Sequence, residues 1–140
     1  MKRASETFAI DTSVAVPLLQ SAHAAHKGVR AWARDKHLCL SGHAAFETYS
    51  VLTRLPYDLA VTPSDVLELF DAWFAPAATL DASASAQALS HLVQAGVSGG
   101  SVYDGLVGLA ASENGLTLAT RDARAASTYR VLGVNFVVID

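Results

Sequence analysis

The sequence predicts a three-layer α/β/α sandwich with a mainly parallel central sheet. Short apolar runs of strand length alternate with longer amphipathic segments of helical period along the whole chain. Parallel strands need crossover connections, and the helices between these runs supply them while covering the sheet on both faces. With 140 residues and 51% hydrophobic side chains the chain has material for one buried core, so residues 1–140 are expected to form a single domain.

Each element has a local cause. In TFAIDTSVAVPLLQ, Phe8 to Ile10 predict a strand ending at Asp11, and Thr12-Ser13 lead into a helix; Asp, Thr and Ser are natural N-caps at such a junction. Residues 23–34 predict a second helix, and HLCLSG a brief buried strand ending at Ser41-Gly42. A helix from His43 runs to about Leu55, where Pro56 stops it. Another follows Thr62-Pro63, with Val66, Leu69, Phe70 and Trp73 at helical spacing. Pro76 closes this pair, and AATLD, residues 77–81, predicts a weak third strand. Residues 82–95 read as an alanine-rich helix, GVSGGS as a glycine turn, and residues 101–113 as a helix capped by Asn114-Gly115. LTLAT predicts the fourth strand, ending at Thr120, RDARAASTYRVLG the last helix and NFVVI the last strand.

A net charge of −3 argues against indiscriminate electrostatic binding to nucleic acid. Its distribution is uneven. Residues 1–54 carry seven bases and four acids, residues 55–113 seven acids and no Lys or Arg, and residues 114–140 three bases and two acids. If the two ends meet in the fold, a positive rim is expected around a ring of carboxylates. The single cysteine, Cys39, sits in an apolar run and reads as a small buried side chain, fitting a reducing, cytoplasmic setting. Asp11 interrupts the apolar stretch that a secretory signal would need after Met1-Lys2-Arg3, and no segment approaches a membrane span.

Four acids carry the chemical signal. Asp11 follows the first strand and Asp122 stands two residues past the fourth, so both belong at the carboxyl edge of the sheet, where α/β proteins bind ligands. Glu47 shares a helical stripe with His43, Ser50 and Arg54, opposite Ala45, Thr48, Leu52 and Leu55. Asp104 falls one turn into its helix, whose stripe of Ser101, Gly105, Gly108 and Ser112 is small enough for close approach. Four unpaired carboxylates would repel one another, and a cation makes their gathering tolerable. Mg²⁺ prefers oxygen ligands, keeps several waters and takes few protein carboxylates beside substrate phosphates.

FAIDTS, the helical Glu47, SVYDGLVGLAASENGLTLATRD and LGVNFVVI together resemble a PIN domain, and more narrowly the VapC toxins of bacterial toxin–antitoxin pairs. The resemblance spans essentially the whole chain, and the order and spacing of the four acids are its most specific part. It implies catalytic, metal-holding roles for Asp11, Glu47, Asp104 and Asp122, with Thr12, Ser13 and Thr120 at accessory hydroxyl positions. It further implies Mg²⁺- or Mn²⁺-dependent endoribonuclease activity on RNA, homodimerisation, and inhibition by a small VapB-like antitoxin whose C-terminal segment enters the active-site groove. Many members of the family carry a base in the turn before the third acid, where this chain has Gly99-Gly100-Ser101. Arg54 and Arg121 are the bases best placed to meet RNA phosphate.

Plainer readings stand beside these. Asp11 or Asp122 alone is more often a helix cap than a ligand. Asp104, among Val102, Leu106 and Leu109, is costly unless solvated or paired. His23 and His26 read as a solvated helix face rather than a zinc pair, Gly99-Gly100 lacks a P-loop ending, and no Gly-x-Ser-x-Gly elbow occurs. Trp32, Tyr49, Phe70 and Trp73 read as core or dimer contacts, and the helix pair around Leu52–Trp73 as the surface for a dimer or an antitoxin helix. Two other functions compete. A Mg²⁺-dependent phosphatase or phosphoryl-transfer domain also places an Asp after its first strand, but here no second acid follows closely. A non-catalytic binding module would keep the fold without the reaction.

Overall fold

The computed structural model describes residues 6–140; the basic start Met1-Lys2-Arg3 lies outside the described residues. The elements are β1 (Glu6–Ile10), α1 (Thr12–Leu19), α2 (His26–Ala33), β2 (Lys36–Ser41), α3 (Ala44–Thr53), α4 (Pro63–Trp73), β3 (Ala75–Ala78), α5 (Ala82–Gln94), α6 (Ser101–Glu113), β4 (Thr117–Thr120), α7 (Ala123–Val131) and β5 (Phe136–Val138). The five strands run in the order β3-β2-β1-β4-β5, and every pairing is parallel. Among the described residues no helix is long and apolar enough to cross a membrane.

Strand side chains alternate between two cores, as a pleat buried on both faces requires. Phe8, Ile10, Leu38, Leu40 and Ala119 face α1 and α2, with Ala45 of α3 and Phe70 of α4 packed against them. Ala9, Cys39 and Leu118 face α6 and α7 through Val107, Ala111, Ala125 and Tyr129. Helix α5 lies outside α6, joined to it by Ala88, Leu92 and Leu109. These three layers are the expected sandwich, and Cys39 is buried in it, its thiol raised above the ordinary range by that burial.

The third strand departs from expectation. It spans Ala75–Ala78 instead of 77–81, so Pro76, which follows the end of α4 at Trp73 as expected, lies within the strand. β3 is an edge strand paired only with β2, and its register shifts between Cys39 and Ser41, so a residue without an N–H is tolerated there. The strand cannot reach Asp81, because Asp81 caps α5 by accepting from the Ala84 N–H at 2.7 Å. The second helix likewise starts at His26 and not at residue 23, since His23 Nδ1 accepts from the Ala25 N–H and closes a turn first. Helix α3 ends at Thr53, before the expected Leu55.

Two glycines set how closely α6 is packed. A Cβ on Gly105 would stand 2.5 Å from Leu92 Cδ2, and one on Gly108 would stand 2.9 Å from Val134 Cγ2 and 3.0 Å from Tyr129 Cδ1. The small stripe read from the sequence therefore admits α5 and the Tyr129 ring against α6. That approach fixes where Asp104, one turn before Gly108, enters the site.

Candidate active site

From β1 the chain crosses to β2 on one side, and from β4 to β5 on the other, so the carboxyl ends of β1 and β4 flank a topological switch point. Asp11 leaves β1 there and Asp122 leaves β4. Both are helix caps as well as acids predicted for the site. Asp11 Oδ1 accepts from the Ser13 N–H at 3.1 Å, and Asp122 Oδ1 from the N–H groups of Arg124 at 2.9 Å and Ala125 at 3.4 Å. The cap and ligand readings are thus compatible, since capping engages one oxygen of each carboxylate and each oxygen has more than one lone pair.

Hydroxyls stitch the two strand exits together. Ser13 Oγ donates to Asp11 Oδ1 at 2.6 Å, which leaves it to accept from Thr120 Oγ1 at 3.3 Å and from the Arg121 N–H at 2.8 Å. Thr120 Oγ1 accepts from the Asp122 N–H at 3.1 Å. Two of the three accessory hydroxyls therefore hold the Asp11 and Asp122 loops in register. The third, Thr12 Oγ1, is buried without a hydrogen-bond partner among the described residues, as are Thr48 Oγ1 on α3 and Arg121 Nε.

The other oxygen of Asp11 has a partner the sequence reading missed. Tyr129 is fully buried on α7, and its phenol donates to Asp11 Oδ2 at 2.7 Å. Burial first, then the charge of Asp11 and this bond, hold the phenol protonated far above its ordinary range. A buried tyrosine on an apolar helix face needs a hydrogen-bond partner, and that was the available signal. Tyr129→Phe is expected to leave Asp11 Oδ2 short of a donor in a nearly closed site and to cost about 2 kcal/mol of stability. Urea unfolding measures it; an unchanged midpoint would mean that water replaces the phenol.

The charges of the other three acids reach Asp104. Its carboxyl is pushed up to about 6, by burial first and then by the charges of Asp122, Glu47 and Asp11 in that order. Asp11 is buried, Asp104 half-buried, and Glu47 and Asp122 exposed. Lys36–Asp35 is the ion pair found among the described residues, so none of the four site acids has a cationic side chain against it there. The donor set is all oxygen, which fits a hard divalent cation. Among the described residues no three such groups stand close enough together to form a ligand set.

Among the described residues, the positive rim expected from the charge distribution is only partly assembled; Lys2 and Arg3 lie outside the described residues. Arg30, Arg34 and Lys36 line a cavity of about 300 Å³ with Trp73 near the start of β2, at the opposite edge of the sheet. Arg130 lies over Phe136 at the start of β5, also at that edge. Proximity along the chain does not say at which end of a strand a base falls. Arg121 and Arg124 follow β4 into the crevice. Arg54, the C-cap of α3, stands roughly 10 Å along the helix axis from Glu47, on the outer rim.

Comparison with known proteins agrees with this geometry. The family model for the PIN domain matches residues 8–131. The chain is 49% identical over 131 residues to "Ribonuclease VapC27" of Mycobacterium tuberculosis, covering 94% of this chain and 96% of that protein. It is 42% identical over 134 residues to "Ribonuclease VapC40" of the same species, covering 94% and 98%. Among solved structures, Mycobacterium tuberculosis VapC20, a sarcin–ricin loop cleaving toxin, superposes with a TM-score of 0.65 at 20% identity over 86% of this chain and 93% of that one. VapBC2 from Rickettsia felis, bound to a DNA fragment from its promoter, gives 0.67 at 14% identity over 96% and 99%.

Proposed function

The chain belongs to the PIN-domain family, among its VapC ribonucleases, and we propose that it is a divalent-metal-dependent endoribonuclease serving as the toxin of a toxin–antitoxin pair. The observation that carries the site assignment is that the charges of three other carboxylates from separate elements, Asp122, Glu47 and Asp11, all bear on the half-buried Asp104, with no ion pair to any of the four among the described residues. Asp11, Glu47, Asp104 and Asp122 would hold Mg²⁺ or Mn²⁺. When bound, such a cation supplies Lewis acidity toward a phosphodiester and a lowered pKa to a nearby water.

The chain's own part is positioning. Ser13 and Tyr129 lock both oxygens of Asp11, so this acid presents a fixed donor edge, while Asp122 keeps an oxygen outside its cap. Glu47, exposed one turn into α3, is free to swing and complete the set. Arg121, half-buried where β4 enters the crevice, meets the RNA phosphate there, and Arg54 meets a phosphate farther along the strand. The phosphoryl-transfer alternative is disfavoured by the residues that follow Asp11, Thr12, Ser13 and Val14, which bring no second acid close in sequence, and by the lack of any lysine in residues 55–113.

The antitoxin and the second copy of a homodimer are assigned to the α3–α4 side. Phe46, Leu67 and Tyr57 are exposed there, and a groove of about 400 Å³ runs between Ala45, Leu67, Phe70, Phe74 and Pro76. Such an apolar trough suits an amphipathic segment. The reducing cytoplasm, where Cys39 stays a thiol, is the compartment we assign.

The test is to incubate the purified protein with a structured RNA in Mg²⁺ or Mn²⁺ and in EDTA. Discrete fragments that need the metal are expected; intact RNA under every metal would refute the activity. Arg54→Ala is expected to weaken RNA binding and lower the slope of log affinity against log salt by about one. An unchanged slope would remove Arg54 from the phosphate path.

A further inference from the structure

A ring of acids repels an RNA strand. Residues 55–113 contain no Lys or Arg, while Arg30, Arg34 and Lys36 gather at the far edge of the sheet. Among the described residues, Arg54 and the two arginines that follow β4, Arg121 and Arg124, are left on the side of the acids. Phosphate contacts normally dominate nucleic-acid affinity, and a contact to the bases adds to the few made there.

His43 and Tyr103 are stacked beside the acids, ring centroids 5.0 Å apart and planes inclined by only 27°. His43 directly precedes α3, and its carbonyl accepts from the Glu47 N–H at 3.1 Å. Tyr103 is the neighbour of Asp104 in the first turn of α6. The pair thus joins the two helices that deliver Glu47 and Asp104. Its geometry differs from the packing pairs of the core, Phe8–Trp32 at 68° and Phe70–Phe74 at 61°, which meet edge to face. Near-parallel stacking covers one face of the tyrosine, so its 54% exposure falls on the remainder of the ring. This large aromatic is held flat and open, next to a catalytic acid.

We propose that Tyr103, backed by His43, is a base-stacking subsite that holds an unpaired nucleobase of the RNA next to the phosphate being cut. The proposal rests on the ribonuclease reading and adds its substrate-binding element. Stacking on an aromatic ring is how proteins seize splayed, single-stranded bases, and every base has a face to offer. It adds affinity beyond the phosphate contacts assigned to Arg121 and Arg54. The step is binding alone; no bond is made or broken at Tyr103.

The experiment uses a single-stranded oligoribonucleotide that carries a mapped cleavage site, with an abasic residue placed in turn at each position flanking the cut. Wild type, Tyr103→Ala, Tyr103→Phe and His43→Ala are compared for KM and kcat at saturating metal, and for the metal concentration at half-maximal rate. Tyr103→Ala should raise KM roughly tenfold, with kcat and the metal requirement held, and Tyr103→Phe should match wild type. One abasic position should raise the wild-type KM by a similar factor and add nothing to Tyr103→Ala. His43→Ala should lie between, having lost the backing ring. A wild-type KM in Tyr103→Ala, or an abasic penalty that persists in it at every position, would overturn the subsite while leaving the ribonuclease intact. An altered metal requirement would overturn it in favour of a packing role on Asp104. Failure of the wild type to cut RNA with any metal would instead remove the ribonuclease reading, and the subsite with it.

Discussion

Asp104→Asn is expected to leave RNA uncut and, at the same time, to make the metal-free protein more stable at neutral pH. The loss of cleavage follows from removing a charge that the cation needs, and a fall of at least a hundredfold is expected, of the order seen when a ligand or its support is lost. The gain in stability follows from the proton balance. Asp104 titrates near 6 in the folded protein against an ordinary 3.8, because burial and three neighbouring carboxylates disfavour its charge. A raised acid binds its proton more tightly when folded, so stability falls as pH climbs from about 4 to about 6, and the penalty is fully present above that. Solvent screening of a half-exposed group reduces it to the order of 1 kcal/mol. That still exceeds the few tenths that a first-turn carboxylate gains from the helix dipole in water. In EDTA, urea unfolding at pH 7.5 should show the Asn variant ahead, and at pH 4.5 the difference should largely vanish. A variant less stable than wild type at pH 7.5 would mean that the four acids do not repel one another as described.

Gly108→Val should cost about 3 kcal/mol, a large share of the 5–15 kcal/mol that stabilises a domain of this size. Its Cβ alone would press on Val134 Cγ2 at 2.9 Å and Tyr129 Cδ1 at 3.0 Å, and the two methyls beyond it have no room. The backbone gain from replacing a helical glycine is smaller, below about 1 kcal/mol. Pushing the Tyr129 ring aside also draws its phenol from Asp11 Oδ2, so the defect should spread from packing to the site. The urea midpoint measures the first effect and the metal requirement for cleavage the second. A variant with wild-type stability would mean that α6 and α7 can separate freely.

What the sequence made legible was whatever repeats or caps. The apolar runs placed β1, β2, β4 and β5, and strand-following aspartates announced the carboxyl edge where Asp11 and Asp122 stand. Pro76 concealed the start of β3 because its meaning depends on whether the strand lies at an edge, which only pairing decides. The basic residues misled for a related reason: charge counted along the chain does not distinguish the two ends of a sheet, so Arg30, Arg34 and Lys36 fell opposite the acids. Tyr129 and Tyr103 were not singled out by the sequence. Their contacts join positions far apart in the chain, Tyr129 with Asp11 and Tyr103 with His43, and no local pattern encodes such contacts.

The central claim is that four carboxylates hold the cation with which RNA is cut, and a Mn²⁺ titration followed both by calorimetry and by RNA cleavage tests it most directly. Wild type should bind Mn²⁺ and cut RNA over the same concentration range, while Asp11→Asn and Asp104→Asn, folded as judged by unfolding midpoint, should do neither. Cleavage by wild type in EDTA, or wild-type cleavage by either variant, would contradict the account.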